Sequence, residues 1–175
     1  MRVYKNNKAG GLGIFFNSVI TEKEFLSYSR NEKQRILGNS VVLQDIPDSL
    51  SNMEFSGNIA DEYNYAENKA DFKKVENDGH LLAEVYNNYD RILFISLPYD
   101  IGWNAFIDGQ KVDVLRGDIG FQAIVVPKGH HNIEMKYRTP WMGIGMIVSL
   151  IGVSVFISSL LYFKHRKVFL YNDKF

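Results

Sequence analysis

From Trp141 to Phe163 the chain reads WMGIGMIVSLIGVSVFISSLLYF, 23 residues without a charged side chain. As a helix this segment is about 35 Å long, against a hydrocarbon core roughly 30 Å thick, so it is long enough to cross a bilayer. Its polar content is serine, with Trp141 and Tyr162 at the rims, where amphipathic aromatic rings favour the membrane-water interface. Lys164, His165, Arg166 and Lys167 follow the span directly, while Lys136 and Arg138 stand close before it. The positive-inside rule then predicts a cytoplasmic tail at 164–175 and an extracytoplasmic domain at 1–140. The first residues, MRVYKNNKAGGLGIFF, carry no basic stretch followed by a continuous apolar run that could direct export. The expectation is a C-terminal part of a longer polytopic protein whose earlier helices deliver the domain. Within the span, Gly145, Ser149 and Gly152 recur at i, i+4 and i+7, a small-residue face on which another helix could pack, although Gly and Ser are common in membrane helices generally.

The remainder of the 175 residues is enough for one domain of ordinary size. With no cysteine there is no disulfide framework, thiol nucleophile or cysteine-ligated zinc. Equal numbers of acidic and basic residues leave no clustered basic excess for a phosphate backbone, so nucleic acid is not an expected partner. A strand is expected around Gly13–Val19. Thr21 with Glu24 and Ser29 with Glu32 have capping-box spacing and predict two short helices, the second over Arg30–Leu37 with Gly38 closing it in the left-handed conformation. From Val41 the pattern becomes short β-rich runs at 41–43, 53–59, 81–86, 92–97, 103–107, 112–115, 122–126 and 132–137. Asp108-Gly109 predicts a tight hairpin turn, and Pro127-Lys128-Gly129 a second turn between paired strands. Residues 60–78 read as an exposed connection or ragged strands. The expected fold is mainly β: an antiparallel, jelly-roll-like sandwich with short N-terminal helices and one C-terminal transmembrane helix.

Chemical motifs are few. His130 and His131 are adjacent, so on a strand they face opposite ways and do not converge on a metal. Asp108, Asp113 and Asp118 lack calcium-loop spacing and a terminal bidentate Glu. Gly10-Gly11-Leu12-Gly13 precedes a strand, which argues for backbone bends over a phosphate cradle. No nucleophile-elbow or metalloprotease motif joins a nucleophile to a base, so no catalytic or metal-binding residue is assigned. Tyr99, Asp100, Trp103 and Asp108 remain as a candidate carbohydrate-binding set, since aromatic faces stack on sugar rings and carboxylates accept their hydroxyls; the alternative is that the aromatics are sheet-packing residues.

The run ISLPYDIGWNAFIDGQKV at 95–112, followed by VPKGHHNIEMKY at 126–137 and a terminal hydrophobic helix, resembles the C-terminal end of the bacterial YfhO-type membrane proteins. The likeness extends to the segments at 11–25 and 32–37 and is weakest over 59–75. What it implies is a multi-spanning, lipid-linked-sugar glycosyltransferase acting on lipoteichoic acid or a related surface polymer. Its polyprenyl-phosphate-linked sugar donor would bind membrane-proximal loops near the parent's N-terminus, outside this sequence. Within the resemblance, Asp100 and Asp108 occupy strand and hairpin-turn positions. The chain would then be an accessory acceptor-recognition or bracing domain, contacting the bilayer, the parent's other helices and the glycopolymer. The competing reading is a non-catalytic, single-span surface module that binds carbohydrate or a partner protein.

Overall fold

The computed structural model describes residues 11–53, 55, 64, 67–75 and 79–172, with side chains as far as Phe163. The chain divides into two units, Met1–Arg138 and Thr139–Phe175.

In the first unit, strands β1 (Gly13–Phe16) and β2 (Val19–Thr21) lead to helices α1 (Glu22–Ser27) and α2 (Arg30–Leu37), strand β3 (Val41–Leu43) and a 3-10 helix at Asp48–Met53. Short strands β4 (Lys69–Ala70) and β5 (Lys73–Lys74) precede β6 (His80–Asn87), β7 (Arg91–Pro98), β8 (Trp103–Ile107) and β9 (Gln110–Val112). The unit closes with β10 (Leu115–Gly117), β11 (Phe121–Val126) and β12 (Gly129–Tyr137). One sheet has the order β2-β3-β10-β11-β7-β1-β4, the other β5-β6-β12-β8-β9.

Alternation on β6 and β12 explains the second sheet. Ala83, Val85, Ile133 and Met135 point inward and are buried, while Leu82, Glu84, His130 and Asn132 face out. The inward set meets Phe15, Leu93, Ile95, Ile124 and Val126 of the first sheet in one core, which makes the two sheets a sandwich. The first sheet is also covered on its other face, where Phe16, Ile92 and Ala123 pack with Val19, Val41, Leu43 and Leu50. Burial on both faces is why β7 reads as a nearly continuous apolar run, RILFISLP, with no alternation. A third cluster, Ile20, Phe25, Ile36 and Val42, seats α1 and α2 on β2 and β3.

Both helices start where their caps predict. Ser29 and Glu32 form the complete reciprocal box, whereas at α1 the Thr21 hydroxyl accepts from Glu24 N at 3.2 Å. Gly38, however, is right-handed, at φ −75° and ψ −18°, because α2 unwinds through bonds from Gly38, Asn39 and Ser40 to Arg35 and Ile36 carbonyls. The expected strand at 13–19 is split into β1 and β2. β2 and β3 run parallel, the two helices supplying the crossover that parallel pairing requires. The run at 112–115 is also divided, since β9 and β10 belong to different sheets. The same holds at Pro127-Lys128-Gly129: β11 and β12 lie in different sheets, so the turn carries the chain between layers and closes no hairpin. Of the run expected at 53–59, Met53 ends the 3-10 helix, Phe55 is in no strand, and the other residues lie outside the described set. Between 60 and 78 the described residues contain the two-residue strands β4 and β5, the ragged strands expected there.

The second unit is helix α3 (Met142–Asn172). Its stretch Met142–Phe163 has a mean hydropathy of 2.4 and is long and apolar enough to cross a membrane. The helical backbone continues past Phe163, so residues 164–167 lie on α3 itself.

Asp118 extends strand pairing beyond the end of β10. Its amide donates to Val42 O at 2.8 Å and its Oδ1 accepts from Val42 N at 2.9 Å, so one residue continues the β3–β10 pairing in two directions. Burial pushes its carboxyl up to about 6, only partly offset by the Val42 N–H. A carboxyl raised in this way favours the fold when protonated, an advantage full below the ordinary value of 3.8 and lost as pH rises through about 6. Asp118→Asn keeps the acceptor without the charge. It is expected to raise stability at pH 7.5, by up to about 3 kcal/mol, and to change little near pH 4, as measured by denaturant unfolding at the two pH values.

Candidate functional site

The candidate residues flank β8, and both ends of this strand are fastened to β12. At the first end, Asp100 Oδ1 accepts from Gly102 N at 2.7 Å, folding the chain into a corner after β7. Loss of hydration and the nearby Asp100 charge together hold the Tyr137 phenol above its ordinary pKa. Gly102 O accepts from Arg138 N at 2.9 Å. A β-carbon on Gly102 would collide with Arg138 O and sit 2.7 Å from a Tyr137 ring carbon and 2.9 Å from Asp100 Oδ1. Glycine is therefore required by close approach of β12. Trp103 is the in-register partner of Tyr137, their ring centroids 5.2 Å apart, and it packs against the inter-sheet core.

At the other end, Asp108 and Gly109 adopt φ 51° and 81°, the positive pair that a two-residue hairpin between β8 and β9 requires. Asp108 Oδ1 accepts from Asn132 N at 2.8 Å, and Oδ2 meets His131 Nδ1 at 2.7 Å. His131 Nε2 faces Lys128 O at 3.2 Å, so the imidazolium can donate from both nitrogens. The backbone bond from Asn132 and the His131 contact lower the Asp108 pKa, and the hydrogen bond to Asp108, with that to Lys128 O, raises that of His131.

The four candidate residues are thus not one cluster. Tyr99, Asp100 and Trp103 lie at one end of β8 and Asp108 at the other, with roughly 13 Å of strand between. Asp108 already uses both carboxylate oxygens on β12, and Asp100 binds the Gly102 amide. The geometry pins two strands and offers no acid-base pair. His130 faces away from His131 and stacks on Tyr86 at 4.4 Å. Among the described residues no three His, Asp or Glu side chains gather as metal ligands. On α3, Gly145 and Gly152 have open space around them.

Outside this set, the outer face of the second sheet carries polar and aromatic groups that motif reading did not assemble. Tyr86 and His130 stack there, and Glu134 is held by His80 Nε2 at 2.6 Å and Lys136 Nζ at 2.8 Å. A recess of about 550 Å³ is lined by Lys73, Leu82, Glu84 and Asn132 among others. The signal available beforehand was the alternation along 80–86, whose outward positions are His80, Leu82, Glu84 and Tyr86.

The family model described as bacterial membrane protein YfhO matches residues 49–149. The chain belongs to this family. That match includes β6–β12, both fastened ends of β8 and the start of α3. The chain is also 25% identical over 91 residues to the uncharacterized protein YfhO of Bacillus subtilis strain 168; the match takes in 52% of this chain and 10% of that relative. No solved structure matches. Together with the apolar helix, membership places the chain among membrane proteins. The PYD-x-GW and DG segments lie inside the matched range and are the segments fastening β8 to β12. Gly102→Ala is accordingly expected to destabilise the sandwich by about 1–3 kcal/mol. Gly120→Ala, at a position with nothing within 4 Å, is expected to stay within about 0.5 kcal/mol. Urea unfolding of the two variants in detergent micelles, followed by near-UV circular dichroism, checks the contrast.

Proposed function

We propose that this chain is the accessory extracytoplasmic domain and a membrane anchor of a polytopic protein that transfers sugar from a polyprenyl-phosphate carrier to a lipoteichoic-acid-type surface polymer. Its role is to brace the membrane-embedded part, with residues 164–175 on the cytoplasmic side. The observation that carries this reading is that Asp100, Trp103 and Asp108 are spent on internal contacts around β8 and β12. A domain whose most distinctive residues fasten its own strands suits a rigid support. Gly145, Ser149 and Gly152 would supply the face on which the parent's other helices pack.

A second reading, recognition of the acceptor polymer, is favoured by the outer face of the second sheet. The recess beside Glu84 and Asn132 and the stacked rings of Tyr86 and His130 offer the carboxylate, amide and ring surfaces that sugars use. The two readings separate in cells whose own copy of the gene is replaced by variants, with the sugar content of the extracted surface polymer as readout and membrane levels of the protein as control. A brace predicts that Gly102→Ala lowers the sugar content while the paired exposed changes Glu84→Ala and Asn132→Ala leave it unchanged. Recognition predicts loss with the paired changes at normal protein level. Unchanged sugar after removal of residues 11–138 would contradict both.

A further inference from the structure

Two neighbouring turns of the sandwich carry isoleucine where turn chemistry favours Gly, Asn or Asp. Ile101 stands in the corner between Asp100 and Gly102 and is 69% exposed; Ile119, in the turn between β10 and β11, is 50% exposed. Ile119 is also at φ 70°, a left-handed conformation strained for a β-branched residue. Apolar side chains held in water at turn tips are stabilised by an apolar phase that covers them.

Hydrogen bonds bring these tips to one end of the domain. Tyr99 N donates to Gly120 O at 2.8 Å, Pro98 pairs with Phe121, and Arg138 N donates to Gly102 O at 2.9 Å. Tyr99, Phe121 and Tyr137, each more than a third exposed, belong to the strands and turns that meet at this end. Arg138 adds a positive charge at the same end.

This is the end at which β12 finishes. Met142, the first residue of α3, follows Tyr137 by five positions, and five residues of fully extended chain reach at most roughly 18 Å. With α3 crossing a bilayer, chain length alone keeps this end within reach of the headgroup layer.

We propose that this end of the sandwich seats on the lipid surface, with Ile101 and Ile119 entering the headgroup-acyl boundary, the tyrosines at the polar level and Arg138 facing anionic headgroups. Apolar tips flanked by tyrosine and arginine match the chemistry of that boundary. The occupant is lipid because the tether brings lipid to the tips whatever else is present.

The test uses the whole chain, which has no cysteine, reconstituted singly in nanodiscs of phosphatidylglycerol and phosphatidylcholine. A nitrobenzoxadiazole label is placed through Ile101→Cys, Ile119→Cys or Gln110→Cys, the last beside the Asp108–Gly109 hairpin at the far end of β8. All three side chains are exposed, so the substitutions spare the core. Both isoleucine positions are expected to be blue-shifted and quenched by shallow doxyl lipids, and position 110 to behave as if in water. Tips that are quenched by aqueous iodide and not by doxyl lipid overturn the proposal. So do tips shielded from both quenchers, which would indicate a protein cover such as a second copy, quenching at one tip alone, and equal quenching at all three positions. A label at Val153→Cys, quenched by deep doxyl lipids, reports separately that α3 spans the bilayer, so failure of that premise is distinguishable.

Discussion

The pairing of β8 with β12 is the constraint on which the second sheet depends. β12 is its central strand, bonded on one side to β6 and on the other to β8, which in turn carries β9. Register on a central strand has little tolerance, because a slip by one residue would turn Ile133 and Met135 out of the core and Glu134 into it. The Gly102–Arg138 backbone bond and the Trp103–Tyr137 ring pair set the register at one end of β8, and Asp108, His131 and Asn132 set it at the other. Between them lie only five residues, so two fastened ends leave no free length in which to slip.

This arrangement gives residues that look chemical a structural use. Aspartates beside aromatics suggest a sugar site when read along the chain, yet Asp100 accepts from the backbone of its own turn and Asp108 from the neighbouring strand. Asp118 belongs to the same pattern on the first sheet, where it extends the pairing of β3 and β10. The first sheet needs less of this fastening because both of its faces are covered by apolar clusters. The second sheet has one wet face, which leaves its outward residues free for contacts beyond the domain.

Local signals were legible wherever the chemistry is local. Ser29 with Glu32 started α2, Asp108-Gly109 made the hairpin, and the alternation from Asn132 to Tyr137 marked a strand with one buried face. What could not be read was which layer each strand joins. Asp113-Val114 and Pro127-Lys128 are ordinary turn or connector sequences, and nothing in them states that the chain changes sheets there. The parallel pairing of β2 and β3 depends on how α1 and α2 pack around Phe25 and Ile36, a long-range event. The turn at Asp118-Ile119 escaped because isoleucine in the left-handed region contradicts turn preference. For the candidate site, residue types were visible and their grouping was not: Asp108 looked close to Asp100 in sequence, and a strand's length separates them.

The fastening of β8 is tested most directly by a double-mutant cycle on Asp108 and His131, using Asp108→Asn, His131→Gln and the pair, with unfolding free energy measured from pH 5 to 9. The His131 pKa is raised in the fold, so the stabilisation from its charged form is complete below the ordinary value of 6.5 and lost as pH rises through the folded value. A favourable coupling energy at pH 5–6 that falls away at higher pH is the result expected of a clamp between the hairpin and β12. Strictly additive effects at every pH would contradict it, and would release Asp108 for a role outside the sheet.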